Sequence, residues 1–174
     1  MDYTIRPVEP GDAPGIAALR RMPGVFENTL GLPSCRTADS AAFLASLGPN
    51  DHNFVAAAED GTIIAAAGLQ VCSNPRMRHV GSIGLFVHTD YQNQGVGTAL
   101  MKAILDLADN WLMLVRVELE VFADNEQAIR LYEKFGFEKE GLLRMTTVRC
   151  GQYADEYKMA RLRPAVGYAV KPSV

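Results

Sequence analysis

Apolar and polar positions alternate over Tyr3-Thr4-Ile5-Arg6 as they do along a strand. Glu9-Pro10-Gly11-Asp12-Ala13-Pro14 then reads as a turn with a helix start, Asp12 at the N-cap and Pro14 in the first turn. The helix should run to Arg21, and a second short one over 39–47 should stop at Gly48-Pro49-Asn50-Asp51. Between them, residues 23–39 carry Pro23, Gly24, Gly31 and Pro33 and predict an irregular loop within one domain.

The period then changes. Residues 53–58, 63–71 and 80–88 are short runs of β-branched, aromatic and small side chains separated by turn signals. Glu59-Asp60-Gly61 joins the first two as a hairpin turn in which Gly61 supplies a positive φ. The three runs predict an antiparallel meander. After Gly95-Val96-Gly97, the residues Val96, Leu100, Ile104, Leu107 and Trp111 keep helical spacing, and a strand over 115–122 follows, which makes a strand–helix–strand crossover. Ala128, Leu131, Tyr132 and Phe135 mark one face of a further helix, started by Asn125 and stopped by Gly136. Residues 137–149 and 153–161 read as two closing strands around Cys150-Gly151-Gln152.

This arrangement fits one domain over residues 1–163 with a C-terminal tail over 164–174. A chain of 174 residues, 48% hydrophobic and 21% charged, buries roughly 70% of its unfolded surface and needs neither metal nor disulfide to hold a core. Seventeen Lys and Arg against 20 Asp and Glu give a formal charge of −3. No basic stripe marks a nucleic-acid or anionic-membrane partner. Cys35, Cys72 and Cys150 are odd in number and far apart, without zinc-ligand spacing, and are expected as buried thiols. The sequence shows no signal peptide at its start and no apolar run near the roughly 20 residues that span a bilayer, so a cytoplasmic protein is expected.

The segment Gln92-Asn93-Gln94-Gly95-Val96-Gly97-Thr98-Ala99 lies between a strand and an amphipathic helix. Its glycines let successive amides point outward at a helix N-terminus, where free N–H groups and the macrodipole favour a pyrophosphate. A glycine-rich turn that merely starts a helix fits the same letters. The Gly-Lys-Ser/Thr ending of a Walker loop and the third glycine of a dinucleotide fingerprint are both missing. On the strand before Asn125, Glu118 and Glu120 share one face while Val117, Leu119 and Val121 share the other. Two neighbouring carboxylates, partly buried, would raise the pKa of one of them and suit a base. The pattern equally fits two solvated glutamates.

Gln92, Gly95 and Gly97, with a second block of Glu120-Val121-Phe122-Ala123-Asp124-Asn125, Ala128, Leu131-Tyr132-Glu133-Lys134 and Gly136-Phe137, resemble the GNAT superfamily of acyl-CoA-dependent N-acetyltransferases. Asn28-Thr29-Leu30, Asp109-Asn110-Trp111-Leu112 and Gly151-Gln152-Tyr153 look like a small bacterial group of amino-acid N-acetyltransferases within it. The resemblance implies an α/β (α+β) fold, a mixed, mostly antiparallel central sheet of six to seven strands with about four helices. It also implies acetyl-CoA as cosubstrate, a small-molecule amine as partner and, by analogy, a possible homodimer.

Within that resemblance, backbone groups of Leu85, Phe86 and Val87 pair with the pantetheine arm as an extra strand would. Gln92, Asn93, Gln94, Gly95, Val96, Gly97 and Thr98 cradle the pyrophosphate. Asn125 caps its helix or bonds the pantetheine as well. Tyr132 is the acid that protonates the leaving thiolate, and a core tyrosine is its competing explanation. Glu120 matches a catalytic glutamate of the resembling ribosomal-protein N-acetyltransferases and is the preferred base. Gln92-Asn93-Gln94 departs from the commoner positively charged form of the loop, which should weaken cosubstrate affinity. An acceptor pocket is expected from Phe26, Glu27, Asn28 and Thr29 with Tyr153, Glu27 meeting an ammonium and Phe26, Leu30 and Met145 an apolar side chain. The implied reaction is acetyl transfer to the α-amine of a free amino acid by direct attack in a ternary complex. Alternatives are a protein N-terminus or lysine, a polyamine, an aminoglycoside, or a non-catalytic acyl-CoA sensor.

Overall fold

A computed structural model describes residues 2–163; the tail expected over 164–174 lies outside them. In chain order the elements are β1 (Tyr3–Pro7), α1 (Ala13–Arg20), α2 (Thr37–Ser46), β2 (Asp51–Ala58), β3 (Ile63–Val71) and β4 (Val80–Val87). Next come α3 (Val96–Asp106), β5 (Arg116–Phe122), α4 (Glu126–Lys134), β6 (Glu138–Arg149) and β7 (Gln152–Leu162). Among the described residues seven strands form one sheet in the order β1-β2-β3-β4-β5-β7-β6. Every pairing is antiparallel except β4 with β5. This is the expected meander, crossover and closing hairpin, in a mixed sheet with four α-helices.

Strand alternation sorts the sheet into two faces. On one, Val117, Leu119 and Val121 of β5 pack with Leu100, Met101 and Ile104 of α3 and Ile129 and Tyr132 of α4. On the other, Val55 of β2 and Ala66 of β3 pack with Ile16 and Leu19 of α1, joined by Leu44 of α2 and Phe86 of β4. Farther along this second face the side chains become small or polar: Asn53, Gly68, Ser82, Gly84. A Cβ at Gly68 would stand 2.4 Å from Asn53 Oδ1, so any larger residue there would displace the Asn53 side chain. Apolar burial therefore stops short of covering the sheet, and a hollow is left between it and α1 and α2.

Two expectations are corrected. Cys35 and Cys72 are half-buried and Cys150 is exposed, the last in the β6–β7 turn with φ +51°. Trp111 is 76% exposed: α3 closes in a π turn over Leu107–Trp111, and the wider turn rotates position 111 away from the stripe that an unbroken 3.6-residue period assigns it. Asp109, in that turn, takes a two-pronged bond from Arg161 of β7 at 2.9 and 2.7 Å. No helix of the described residues is long and apolar enough to cross a membrane.

Candidate active site

The two middle strands pair over only three positions, Val80 with Arg116, Gly81 with Val117 and Ser82 with Glu118. Beyond them β5 stays on β7 as far as Phe122, β4 stays on β3 as far as Val87, and the sheet opens between them. The phase of the β3–β4 ladder decides what faces the opening. His88 N–H donates to the Ile64 carbonyl, so even-numbered residues of β4 spend their backbone groups on β3, and Ile83, Leu85 and Val87 turn theirs to the open edge. Phe86 is thereby corrected in kind: its amide and carbonyl belong to the partner Ala66, and only its side chain reaches the site. Gln92 Nε2 donates to the Val87 carbonyl at 3.1 Å and ties the following loop to the end of this edge.

Gly95 sits at the N-cap of α3 with φ +87°, a left-handed conformation that costs a residue bearing a Cβ roughly 1–2 kcal/mol. The turn aims the unpaired first amides of α3 outward. Gln94 donates through Nε2 to the Asp90 carbonyl at 2.6 Å, and Val96 is buried in the core, so these two side chains build the loop rather than line a site. Gln92, Asn93, Gly95, Gly97 and Thr98 line a cavity of about 370 Å³, together with Leu85, Phe86, Val87, Asn125 and Tyr132. Sequence reasoning missed its other wall, where α4 presents Gln127, Arg130 and Lys134. Arg130 is paired with Glu126 at 3.0 Å, whereas Lys134 has no ion pair among the described residues, so Lys134 brings to this cavity a positive charge that the loop lacks; the i, i+4 spacing of the two was the available signal. An open strand edge leading to a helix N-terminus, with Lys134 on the facing wall, fits an extended pantetheine ending in a pyrophosphate.

A second cavity, about 560 Å³, occupies the hollow beneath α1 and α2. The two share Asn28, Thr29, Leu85, Phe86, Asn125, Ala128 and Tyr132, so they meet where β4 and β5 part. Tyr132 is buried at that junction, and burial pushes its phenol up to about 12. It carries its proton throughout the physiological range. Asn125 Oδ1 accepts from Ala128 N–H at 3.1 Å, the expected helix cap.

Glu120 lines the second cavity with its side chain 47% exposed. The two carboxylates on this strand face were expected to raise one of the pair, Glu120 being the preferred base; at Glu118 the shift runs the other way. Burial works to raise the Glu118 carboxyl, but hydrogen bonds and charge from Lys158 and Arg116 outweigh it and hold the pKa below the ordinary value. Lys158 Nζ lies 2.8 Å from Glu118 Oε1 and 3.3 Å from Glu120 Oε1, so a cation fills the space in which bare carboxylates would repel. Glu156, missed from the sequence, is buried in the same wall and accepts from the Thr146 and Thr147 hydroxyls at 2.7 and 3.1 Å.

The predicted acceptor residues divide. Asn28, Thr29 and Leu30 line the second cavity, but Phe26, Glu27 and Tyr153 line neither. The Glu27 carboxylate turns back to accept from Gly24 N–H, which bends its own loop. Tyr153 is 68% exposed, carried away from the cavities next to the β6–β7 turn, and Met145 is exposed in the β6 irregularity. The missed lining includes Arg20, Phe43, Asn53 and Ser82. They come from four separate elements, and no spacing along the chain links them.

Two cavities that meet at a buried phenol can hold two molecules end to end, the arrangement that a group-transfer protein needs. The model of the Acetyltransferase (GNAT) family matches residues 25–137. The chain is 33% identical to the L-amino acid N-acetyltransferase AaaT of Escherichia coli, over 93% of this chain and 99% of that one. It is 35% identical to the N-alpha-acetyltransferase RimI of Mycobacterium tuberculosis, over 70% of this chain and 73% of that one. Spermidine N-acetyltransferase from Vibrio cholerae, solved in complex with CoA and spermine, shares the fold with a TM-score of 0.81 at 22% identity, covering 92% of this chain and 95% of that one. This chain belongs to the GNAT family of N-acetyltransferases, enzymes that use acetyl-CoA as cosubstrate.

Proposed function

We propose that the enzyme acetylates the α-amine of a free amino acid by direct attack in a ternary complex. The observation that carries this is the meeting of the two cavities at Tyr132, which lets an amine under α1 and α2 reach a carbonyl held on the β4 edge without a covalent enzyme intermediate. The similarity to an L-amino acid N-acetyltransferase over nearly the whole chain supports the acceptor class. The thioester supplies the activated acetyl group. Leu85 and Val87 hold the pantetheine arm, and the loop at 92–98 with Arg130 and Lys134 holds the phosphates.

Glu120 takes the proton of the incoming ammonium, directly or through water, since only the neutral amine attacks. As the C–N bond forms and the C–S bond breaks, Tyr132 gives its proton to the departing sulfur. The proton shed by the new amide nitrogen returns to the Tyr132 phenolate, and Glu120 gives the proton it took from the ammonium to solvent. Products are the N-acetylamino acid and CoA thiol. All of these residues fall within 1–163, which we take as one catalytic domain acting in the cytoplasm.

The test follows thiol release from acetyl-CoA with methionine, phenylalanine, a polyamine, an aminoglycoside and a short peptide. Release with the free amino acids is expected. Release only with peptide or polyamine would replace the acceptor class, and binding of acetyl-CoA without release to any amine would leave a sensor in place of the enzyme.

A further inference from the structure

The acceptor cavity contains two cations, and they are differently placed. Lys158 is spent on Glu118 and Glu120. Arg20, at the last turn of α1, is half-buried and lines the opposite wall of the cavity. Among the described residues no carboxylate lies within ion-pair distance of it. A basic residue at a helix C-terminus can serve the helix dipole alone, but exposed positions do that equally well. The neighbouring Arg21 already bonds the Cys35 carbonyl at 3.0 Å. A guanidinium stays charged at any physiological pH, and its fork matches a carboxylate in two-pronged geometry. Beside Arg20 the same wall is apolar, with Ile16, Leu30, Phe43 and Leu44. Leu30 and Phe43 are 74% and 44% exposed, open surface that an apolar ligand would cover.

We infer that Arg20 binds the α-carboxylate of the acceptor and so restricts the enzyme to amines that carry a free carboxylate, the apolar wall beside it taking the side chain. The inference rests on the proposed amino-acid acetylation. It adds the group that separates this acceptor class from amines lacking a carboxylate. Cavity polarity is consistent with a zwitterion: acids Glu120 and Glu156 lie on the β5–β7 wall, where the ammonium must shed its proton, and Arg20, which has no ion-pair partner among the described residues, lies on α1. Arg20 takes no part in bond making.

The experiment compares L-methionine with L-methioninamide, equal in side chain and amine but differing in the carboxylate, for the wild-type enzyme and for Arg20→Gln and Arg20→Lys. Wild type should favour methionine in kcat/KM. In Arg20→Gln the methionine KM should rise about 10- to 100-fold, the magnitude of a lost charge-assisted pair, with a much smaller change in kcat, and the preference over methioninamide should collapse. Arg20→Lys should restore part of it, since charge returns without the fork. Acetyl-CoA affinity and thermal melting report whether each variant is folded. An unchanged methionine preference in a folded Arg20→Gln enzyme overturns the inference and leaves the amino-acid reading standing. Equal use of methionine and methioninamide by wild type does the same. A wild-type enzyme that acetylates neither compound overturns the amino-acid reading and this inference with it.

Discussion

Glu120 stands directly across the β5–β7 ladder from Lys158, and the ammonium of Lys158 lies 3.3 Å from Glu120 Oε1 while holding Glu118 more closely at 2.8 Å. One cation thus anchors two acids, with the nearer one fixed and the farther one open to the acceptor cavity. Replacing Glu120 by Gln removes the proposed proton acceptor without removing the side chain's bulk. The expected outcome is a fall in kcat/KM of about 100-fold at neutral pH. The loss should shrink as pH rises and more of the amine is already neutral. A pH–rate profile of Glu120→Gln parallel to that of the wild type would assign the base elsewhere, with Glu156 next in line.

Tyr132→Phe keeps the ring that packs against Phe137 at 5.9 Å between centroids and removes only the hydroxyl. The turnover number should drop by about 100-fold, a usual magnitude for a lost general acid, with acetyl-CoA affinity nearly unchanged by calorimetry. Because burial pushes the phenol up to about 12, its ionisation should produce no decline in wild-type rate below about pH 11. An alkaline limb near pH 9 that Tyr132→Phe abolished would contradict this.

The phosphate cradle gives two independent handles. Gly95→Ala forces a Cβ into φ +87° and should destabilise the fold by about 1 kcal/mol while raising the acetyl-CoA KM, as the first turn of α3 relaxes. Lys134→Glu leaves the backbone alone and reverses a charge on the α4 wall. Its acetyl-CoA KM should rise several-fold, more at low than at high ionic strength because salt screens the difference. A salt-independent effect would mean that Lys134 acts through packing.

Acid stability follows from carboxylates held low by cationic partners. The Asp12 carboxyl is lowered first by its hydrogen bonds from Arg6, and those of Glu140 and Asp124 by hydrogen bonds from Arg116 and Arg149. For Glu118, Lys158 and Arg116 overcome the opposing effect of burial. A group whose folded pKa lies below its unfolded value contributes stability above the unfolded value and loses it as pH falls through the folded one. The melting temperature should therefore be level above about pH 5 and decline below about pH 4. Glu118→Gln should flatten that decline; an identical acid limb in the variant would remove Glu118 from the account.

Much of the fold was legible because it rests on local rules. The helix that begins after Asn125 has its N-cap where the side chain type predicts it, and β3 begins and ends at the residues marked by its composition. Asp12 illustrates the limit. It precedes α1 as expected, yet its carboxylate caps no amide of that helix; it pairs with Arg6 at 2.7 and 2.8 Å and accepts from Glu9 N–H. A partner six residues away on a strand outcompeted the local cap. Glu27 failed as an acceptor residue for the reverse reason, since the nearest available donor was its own loop's Gly24 amide.

By itself the sequence determined the order of strands and helices, the glycine turn opening α3 and the placing of a tyrosine on the inner face of α4, because each depends on residues within one or two turns of chain. Tertiary structure alone decided where β4 and β5 separate, which of Leu85, Phe86 and Val87 face the opening, and that Arg20, Glu120, Glu156 and Lys158 enclose one cavity. Those facts depend on ladder phase and on residues up to 138 positions apart in the chain, from Arg20 to Lys158, coming to line one cavity. Burial and charge pairing select among such contacts only once the sheet has formed.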